Sequence, residues 1–339
     1  MAIHLQREGY RPFLLVGSAT ARMGDPSFRE VAKARLDDYI LKNNTIRIKS
    51  QLARLMHQND RDSDGCSVQI VDNYEWQKDL CILDFLDEIG SKVRLNAMLG
   101  RDSIQRRLNS PLGLSYAEAT YQLLQAYDFL HLYRKHGCLL QIGGSDQWGN
   151  IIAGVELIGR MYPEVAISGM TFPLITTAQG EKLGKSDGNA LWLDAEMTSP
   201  FDLYQYFLRL SDDDALRWLS MLSLQPMEEI EEIKMAHKLK PECRLAQLAL
   251  AKDVISFVHG IGIVKDVERA SQLLFDQYDE TIFADEKSID LVAHMLKQSK
   301  RYLELPHDKD HTIQATLQLL EPENSKSTLL VGRPCYNKV

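Results

Sequence analysis

Short apolar runs of strand length alternate with longer helical patterns through the first 195 residues, and this alternation strongly constrains the fold. Residues 13–16, 68–71 and 138–142 are apolar runs typical of buried strands. The segments between them carry helical patterns, over 29–65 and 79–90 for example. Strands joined through helices run parallel, so the sequence predicts an α/β domain with a parallel sheet.

The clearest helix covers residues 115–137. Ser115 and Glu118 have the spacing of a capping box, and Gly137 is a typical residue just past a helix end. Apolar residues recur along its length, so one face is expected to pack in a core.

Three polar residues of this helix, Tyr121, Gln125 and Asp128, stand at i, i+4 and i+7 and therefore lie on one face. They could form a solvated stripe. However, the surrounding LLQAYDFL is too apolar for an ordinary surface, and a buried carboxylate is costly unless it meets donors. We therefore favour a site for a polar ligand.

A glycine turn follows the strand predicted over 138–142. Gly143 and Gly144 separate that strand from a helix expected to begin near Asp146, an order that presents backbone N–H groups to a nucleotide. An ordinary glycine turn capped by Ser145 or Asp146 is the alternative. Two amides, Gln141 and Gln147, flank the turn.

Two further segments carry groups suited to binding. Lys182, Lys185 and Ser186 lie in QGEKLGKSDGN, where they either face solvent or clamp a polyphosphate. Asp25, in GDPS, is either a turn former or a ligand for an ammonium group.

From Ser199 the strands stop and only helix signals follow. We therefore predict three parts, with boundaries at 1–195, 196–275 and 276–339. The second is all-helical, and the third is a short polar tail that ends in a hairpin over 327–331 and 336–339. On the second part, a group of basic residues forms either phosphate contacts or a solvated helix face: Lys234, Lys238, Lys240 and Arg244.

Composition excludes several classes of protein. The 39 basic and 47 acidic residues give a net charge of −8, so nucleic acid would have to bind at local patches. The five cysteines show no spacing typical of a zinc site or a disulfide framework, so we expect no protein-bound metal. No apolar run reaches the roughly 18 residues of a membrane span, and MAIHLQREGY has no features of a targeting peptide.

Six motifs resemble, in order and spacing, those of tyrosyl-tRNA synthetase, a class I aminoacyl-tRNA synthetase, over about residues 1–270. They are LLVGSATARMGDPS, NYEW, YQLLQAYDFL, QIGGSDQWGNI, KLGKS and TSPFDLYQYF. The sequence ATARMGDPS resembles the corresponding segment of the mitochondrial branch of the family more than that of the bacterial branch. The resemblance implies a Rossmann-like catalytic domain, a helical anticodon-side domain and a shortened RNA-binding remnant. It also implies a mitochondrial matrix location, with the cytoplasm as the alternative.

The resemblance implies a role for each candidate residue. Asp128 corresponds to the carboxylate that accepts a hydrogen bond from the phenol of L-tyrosine. The remaining tyrosine-site positions are Asp25, Tyr121 and Gln125 around the α-ammonium group, Gln141 beside that pocket, Gln147 as a tyrosyl contact of the adenylate site, and the supporting pair Asn73 and Trp76.

The same resemblance implies ATP as a substrate, with Mg²⁺, and tRNA(Tyr) as a partner. The ATP positions are Gly143, Gly144, Asp146 and Lys185, and the catalytic loop that steadies pyrophosphate contains Lys182, Lys185 and Ser186. Arg29 and Lys33 correspond to acceptor-stem contacts. Tyr116 falls where the family forms its homodimer.

One departure from the family is large, because the chain contains no H-x-G-H sequence. The family's HIGH-type segment and its first strand would precede Met1, so we expect little aminoacylation by the 339-residue chain alone and an exposed edge beside Phe13–Val16 that favours aggregation. A non-catalytic RNA-binding or dimer-forming variant is therefore the alternative. A tryptophanyl enzyme is disfavoured by Tyr121, Gln125 and Asp128 together with GGSDQWGN.

Overall fold

The computed structural model describes residues 1–27, 36–58, 67–176 and 191–275, together with 294, 295, 297 and 298. Its strands are β1 (Phe13–Val16), β2 (Gln69–Asp72), β3 (Leu140–Gly144) and β4 (Ser168–Phe172). Its helices are α1 (Ala2–Arg7), α2 (Asp38–Gln58), α3 (Tyr74–Gln77), α4 (Ile82–Glu88), α5 (Leu95–Leu99), α6 (Asp102–Leu108), α7 (Tyr116–His136), α8 (Trp148–Met161), α9 (Pro200–Leu208), α10 (Asp212–Leu222), α11 (Met227–Leu239), α12 (Leu245–His259) and α13 (Ile261–Phe275).

The strands form two parallel pairs. β1 pairs with β2, with Val16 opposite Asp72, and β3 pairs with β4, with Gly144 opposite Phe172. Strand pairs of this kind, connected through helices, confirm the predicted α/β class. Leu15 of β1 is 37% exposed, and the effect of that edge on solubility stays a prediction.

Predicted and observed elements agree best where capping is strong. Ser115 accepts a hydrogen bond from the Glu118 backbone at the start of α7, and Gly137 ends the helix with a φ of 67°. The helix predicted over 79–90 is shorter than expected and is followed by a 3-10 turn, Gly90–Lys92. The helical prediction over 29–65 corresponds to α2, and the rest of that range lies largely outside the described residues.

The third strand was predicted two residues too early. β3 runs to Gly144, so the glycine pair is the last part of the strand and not the turn after it, which is a 3-10 turn over Ser145–Gln147. The structure explains the glycines by close approach. A Cβ on Gly143 would lie 3.2 Å from Cβ of Gln147, and one on Gly144 would lie 2.7 Å from Oδ1 of Asp146.

The chain divides into two compact units. Unit 1 comprises Met1–Leu191 and Leu224–Pro226, and in it α7 packs on α8 around a core that includes Phe129, Leu130 and Leu157. Unit 2 comprises Trp192–Ser223 and Met227–Val339, and in its described part α12 packs against α9, α10, α11 and α13. The predicted boundaries at 195 and 275 stay predictions.

None of the helices in the described part of the chain is both long enough and apolar enough to cross a bilayer.

Candidate functional site

Asp128, on α7 of unit 1, carries a buried carboxylate, and only 2% of the residue's surface is exposed. The apolar face of the same helix places Phe129 and Leu130 in the core, and this packing fixes the direction in which Asp128 points. Because an unpaired buried carboxylate would be costly, its hydrogen-bond donors determine what the site can do.

Three neutral side chains donate to Asp128, and all come from the end of β2 and from α3. Asn73 Nδ2 lies 3.0 Å from Oδ2 of Asp128, whereas Trp76 Nε1 and Gln77 Nε2 lie 2.8 Å and 2.6 Å from Oδ1. The three donors lie close together in the sequence, and the short helix α3 brings all three side chains to the same carboxylate on α7.

Asn73 is held in place from the end of the neighbouring strand. It is fully buried, its Oδ1 accepts from the backbone N–H of Ala19 at 2.9 Å, and its Nδ2 lies 3.1 Å from Oγ1 of Thr20. Ala19 and Thr20 follow β1, so the carboxyl ends of β1 and β2 meet here. Ligands of open α/β sheets bind at such ends.

The electrostatic balance leaves Asp128 unusually basic. Burial raises its pKa to about 6, although hydrogen bonds from Asn73, Trp76 and Gln77 act in the opposite direction and the nearby charge of Asp72 adds to the rise. The group is therefore ionised at neutral pH but close to protonation, which suits it to accept a hydrogen bond from a ligand hydroxyl.

The indole of Trp76 is fixed on its other side by stacking. The ring of His131 lies parallel to it, with centroids 4.5 Å apart and an interplanar angle of 10°. Burial lowers the pKa of His131, and the neighbouring charges of Lys135, His136 and Arg134 lower it further. A largely neutral imidazole thus packs against Trp76 at neutral pH.

A second carboxylate, Asp25, accepts from both a turn and a helix. Its Oδ1 accepts from the backbone N–H of Ser27 at 2.9 Å, as a turn former does. Its Oδ2 lies 2.8 Å from Nε2 of Gln147 and 3.5 Å from Nδ2 of Asn150, and Asn150 also donates to Oε1 of Gln147 at 3.1 Å. The structure shows the turn-forming contact of Asp25, and its role as a ligand for an ammonium group stays a prediction.

The amide of Gln141, in β3, contains a buried oxygen that has no hydrogen-bond partner among the described residues. Leaving such an acceptor unsatisfied costs about 1–3 kcal/mol. An N–H or O–H group of a bound ligand would remove that cost, so Gln141 is also a candidate binding residue.

The structure therefore brings together Asn73, Trp76 and Asp128, and separately Asp25 and Gln147. Tyr121, Gln125 and Asp146 are half-buried, and Tyr116 is 73% exposed at the start of α7. The remaining predicted side chains, Lys182, Lys185, Ser186, Arg29 and Lys33, lie outside the described residues, as does the hairpin predicted at the chain end.

Three binding-site neighbours were missed in the sequence. Gln77 donates to Asp128, Asn150 donates to Asp25, and Gln122 donates to the backbone carbonyl of Gly149 at 3.1 Å, a carbonyl that also accepts from Arg101. The sequence feature that could have identified two of them is a polar residue at the end of a motif. Gln77 directly follows NYEW, and Asn150 is the last residue of GGSDQWGN.

Within the described part of unit 2, partners are seen for the side chains of two of the four basic residues. Lys234 Nζ lies 2.7 Å from Oε1 of Glu231, and the guanidinium of Arg244 donates to the backbone carbonyl of Leu208. These contacts favour the helix-face interpretation for Lys234 and Arg244.

Comparison with known proteins agrees with the resemblance in the sequence. A model of the family "tRNA synthetases class I (W and Y)" matches residues 1–276. The mitochondrial tyrosine--tRNA ligase of Drosophila melanogaster is 43% identical over 281 residues, which are 80% of this chain and 61% of that protein. The tyrosine--tRNA ligase of Streptococcus mutans is 41% identical over 283 residues, 84% of this chain and 66% of that protein.

A solved structure is similar over a comparable range. The C-terminally truncated mitochondrial tyrosyl-tRNA synthetase of Aspergillus nidulans superposes with a TM-score of 0.71 at 32% identity, covering 80% of this chain and 78% of that one. The chain spans less than two thirds of the length of the Drosophila and Streptococcus relatives. Over the region they share, it belongs to the tyrosyl-tRNA synthetases of class I.

Proposed function

We propose that this protein belongs functionally to the tyrosine--tRNA ligases, which activate tyrosine with ATP and transfer it to tRNA(Tyr), and that unit 1 forms its tyrosine site. Low aminoacylation by the 339-residue chain alone, which contains no H-x-G-H sequence, stays a prediction. The observation that carries the proposal is Asp128, a buried carboxylate held by three neutral donors with a pKa of about 6. The similarity to the tyrosine--tRNA ligases of Drosophila melanogaster and Streptococcus mutans supports it.

In this proposal Asp128 recognises the phenol. An ionised carboxylate accepts a hydrogen bond from an O–H donor at roughly twice the strength of a neutral acceptor. Phenylalanine would bury the same carboxylate without that donor, at a cost of about 1–3 kcal/mol. Asp128 would therefore select tyrosine, while Asn73 and Trp76 hold the carboxylate in position.

The amino-acid end of tyrosine would lie with the second group of residues. Asp25, Tyr121 and Gln125 would bind the α-ammonium group, Gln141 would lie beside that pocket, and Gln147 would contact the tyrosyl group. Two observations support this assignment. The buried oxygen of Gln141 has no partner within the described ranges, and Gln147 contacts Asp25.

The chemical step needs no nucleophile from the protein. The tyrosine carboxylate attacks the α-phosphorus of ATP, the bond to the β-phosphate oxygen breaks, and pyrophosphate leaves. Positioning and charge stabilisation therefore provide the rate. Gly143, Gly144 and Asp146 would contact the nucleotide, and Lys182, Lys185 and Ser186 would steady the departing pyrophosphate.

Mg²⁺ would accompany ATP in this proposal. In the part of the chain that the structure describes, no three His, Cys, Asp or Glu side chains lie close enough together to hold a metal ion.

The partners follow from the same proposal. Arg29 and Lys33 would meet the tRNA acceptor stem, and the exposed Tyr116 and Leu112 would lie in a homodimer contact. A mitochondrial matrix location is consistent with the Drosophila relative, although the similarity to the Streptococcus protein is comparable.

Tyrosine binding to the purified chain tests the proposal without requiring turnover. In isothermal titration calorimetry at pH 7.5, we expect tyrosine to bind and phenylalanine and tryptophan to bind at least roughly 10-fold more weakly. Binding should weaken as the pH falls below about 6, where Asp128 takes up a proton. No saturable tyrosine binding, or equal affinity for all three amino acids, would contradict the proposal.

A further inference from the structure

We infer that Gln77 is a positioning residue that determines which oxygen of Asp128 receives the ligand hydroxyl. With Trp76 it occupies Oδ1, so the phenol of tyrosine is directed to Oδ2. This inference rests on the proposed function and extends it to a side chain outside the recognised motifs.

The count of acceptor positions leads to this assignment. A carboxylate provides about four lone-pair sites, two on each oxygen. Oδ1 of Asp128 already accepts from Trp76 at 2.8 Å and from Gln77 at 2.6 Å, whereas Oδ2 accepts from Asn73 alone among the described contacts. The acceptor position that these contacts leave free is therefore on Oδ2.

Gln77 is placed to act as a bridge between two elements. It ends α3, and its Nε2 lies 3.5 Å from the backbone carbonyl of Leu124, one turn before Asp128 on α7. Its amide thus contacts both the carboxylate and the helix that bears it. Gln77 would therefore act through Asp128 and would not itself contact the reacting atoms.

Loss of this amide should have two linked effects. The ionised form of Asp128 would lose a donor, so its titration midpoint would rise, and Oδ1 would become open to a ligand or water. A phenol could then bind in two orientations, which weakens the preference for the productive one. Both effects come from one hydrogen bond and should change together.

The test variant is Gln77→Met, which keeps side-chain length and removes the donor. The titration of Asp128 is followed by the carbon-13 signal of its labelled side-chain carboxyl, assigned by its disappearance in Asp128→Asn. We expect the midpoint to rise by about one pH unit, so that at pH 6.5 the ionised fraction of Asp128 and the tyrosine affinity both fall about 3-fold.

Other titrating or charged groups near Asp128 are Asp72 with its partner Lys49, Tyr127 on the same helix, and His131 behind Trp76. All are retained in Gln77→Met, so a moved midpoint reports the lost bond. Gln105→Met is the matched control, since Gln105 is a half-buried glutamine that donates to the Leu99 carbonyl, and it should leave both readouts unchanged.

A second variant, Gln77→Glu, keeps the shape and places a carboxyl group against Oδ1. Two carboxyls at hydrogen-bond distance cannot both ionise freely, so the midpoint should rise further than in Gln77→Met. Midpoints within about 0.2 pH units of the wild type in both variants would overturn the inference. If the wild type binds no tyrosine, the proposed function fails, but the carboxyl titration still decides whether Gln77 holds Asp128.

Discussion

Helix α7 buries two carboxylates that are satisfied in different ways. At its start, Glu118 pairs with the guanidinium of Arg107, with Nε 2.8 Å from Oε1, and also accepts from Ser115 in the capping box. Further along, Asp128 accepts from three neutral donors. The charge of Glu118 is thus balanced by a cation, whereas the charge of Asp128 is stabilised only by hydrogen bonds from two neutral amides and an indole.

The difference separates a structural carboxylate from one suited to a ligand. Burial alone would raise the pKa of Glu118, but the hydrogen bonds from Arg107 and Ser115 outweigh it and the net pKa is lowered. For Asp128 burial prevails, and the pKa rises to about 6. Glu118 gains stability from ionising in the folded chain, whereas Asp128 ionises at a cost, which is expected of a group retained for binding.

Removing the cation should produce the largest effect. Arg107→Ala leaves Glu118 buried without its guanidinium partner, so the free energy of unfolding should fall by about 3–5 kcal/mol. Urea denaturation followed by circular dichroism measures the change. Arg11→Ala, at an exposed position of the same unit, should change it by less than about 0.5 kcal/mol. Equal effects for the two variants would mean that the pair is not structural.

Asp128→Asn should change how the free energy of unfolding depends on pH, and this tests the difference between Asp128 and Glu118. Because folding raises the pKa of Asp128 from 3.8 to about 6, the wild type loses stability as the pH rises through this interval, and the variant does not. The free energy of unfolding of the variant minus that of the wild type should therefore grow by about 3 kcal/mol between pH 3.5 and pH 7.5.

Glu118→Gln is the matched comparison for that pH series. Since the folded pKa of Glu118 is lowered, its stabilising contribution is present above the unfolded pKa and is lost as the pH falls. The two variants should thus differ from the wild type with opposite pH slopes. Parallel slopes would show that both carboxylates are handled alike.

The smallest expected effect is that of the cap. Ser115→Ala removes the hydroxyl that accepts from the Glu118 backbone at 3.2 Å, and the free energy of unfolding should fall by about 1 kcal/mol. Thr120→Ala removes a hydroxyl that donates to the Ala117 carbonyl within the helix and takes no part in the capping box, so the free energy of unfolding should change little. If both alanine variants behave alike, the cap does not hold the Glu118 region.

Local signals account for the parts of the fold that the sequence predicted well. The capping box and Gly137 bound α7 closely, and the apolar run 13–16 coincides with β1. β4 was missed, because its alternating exposed and half-buried residues, SGMTF, lack a continuous apolar run. The short helices α5 and α6 were missed as well, since neither spans two helical turns of clear periodicity.

The sequence predicted which residues share a face of α7, but it did not predict how deeply each one is buried. Spacing placed Tyr121, Gln125 and Asp128 on one face, but only Asp128 is almost fully buried, while the other two are half-buried. Its donors stand about 50 residues earlier in the chain, and spacing within one helix says nothing about such partners. The resemblance singled out Asn73 and Trp76, and only the packing of α3 against α7 reveals Gln77.

The most direct measurement is the ratio of tyrosine affinity to phenylalanine affinity in the wild type and in Asp128→Asn, by calorimetry at pH 7.5. We predict a wild-type ratio that falls roughly 10- to 100-fold in the variant, because the ionised acceptor for the phenol is lost while the apolar contacts remain. An unchanged ratio in a folded variant would contradict the assignment of Asp128 as the group that recognises the hydroxyl.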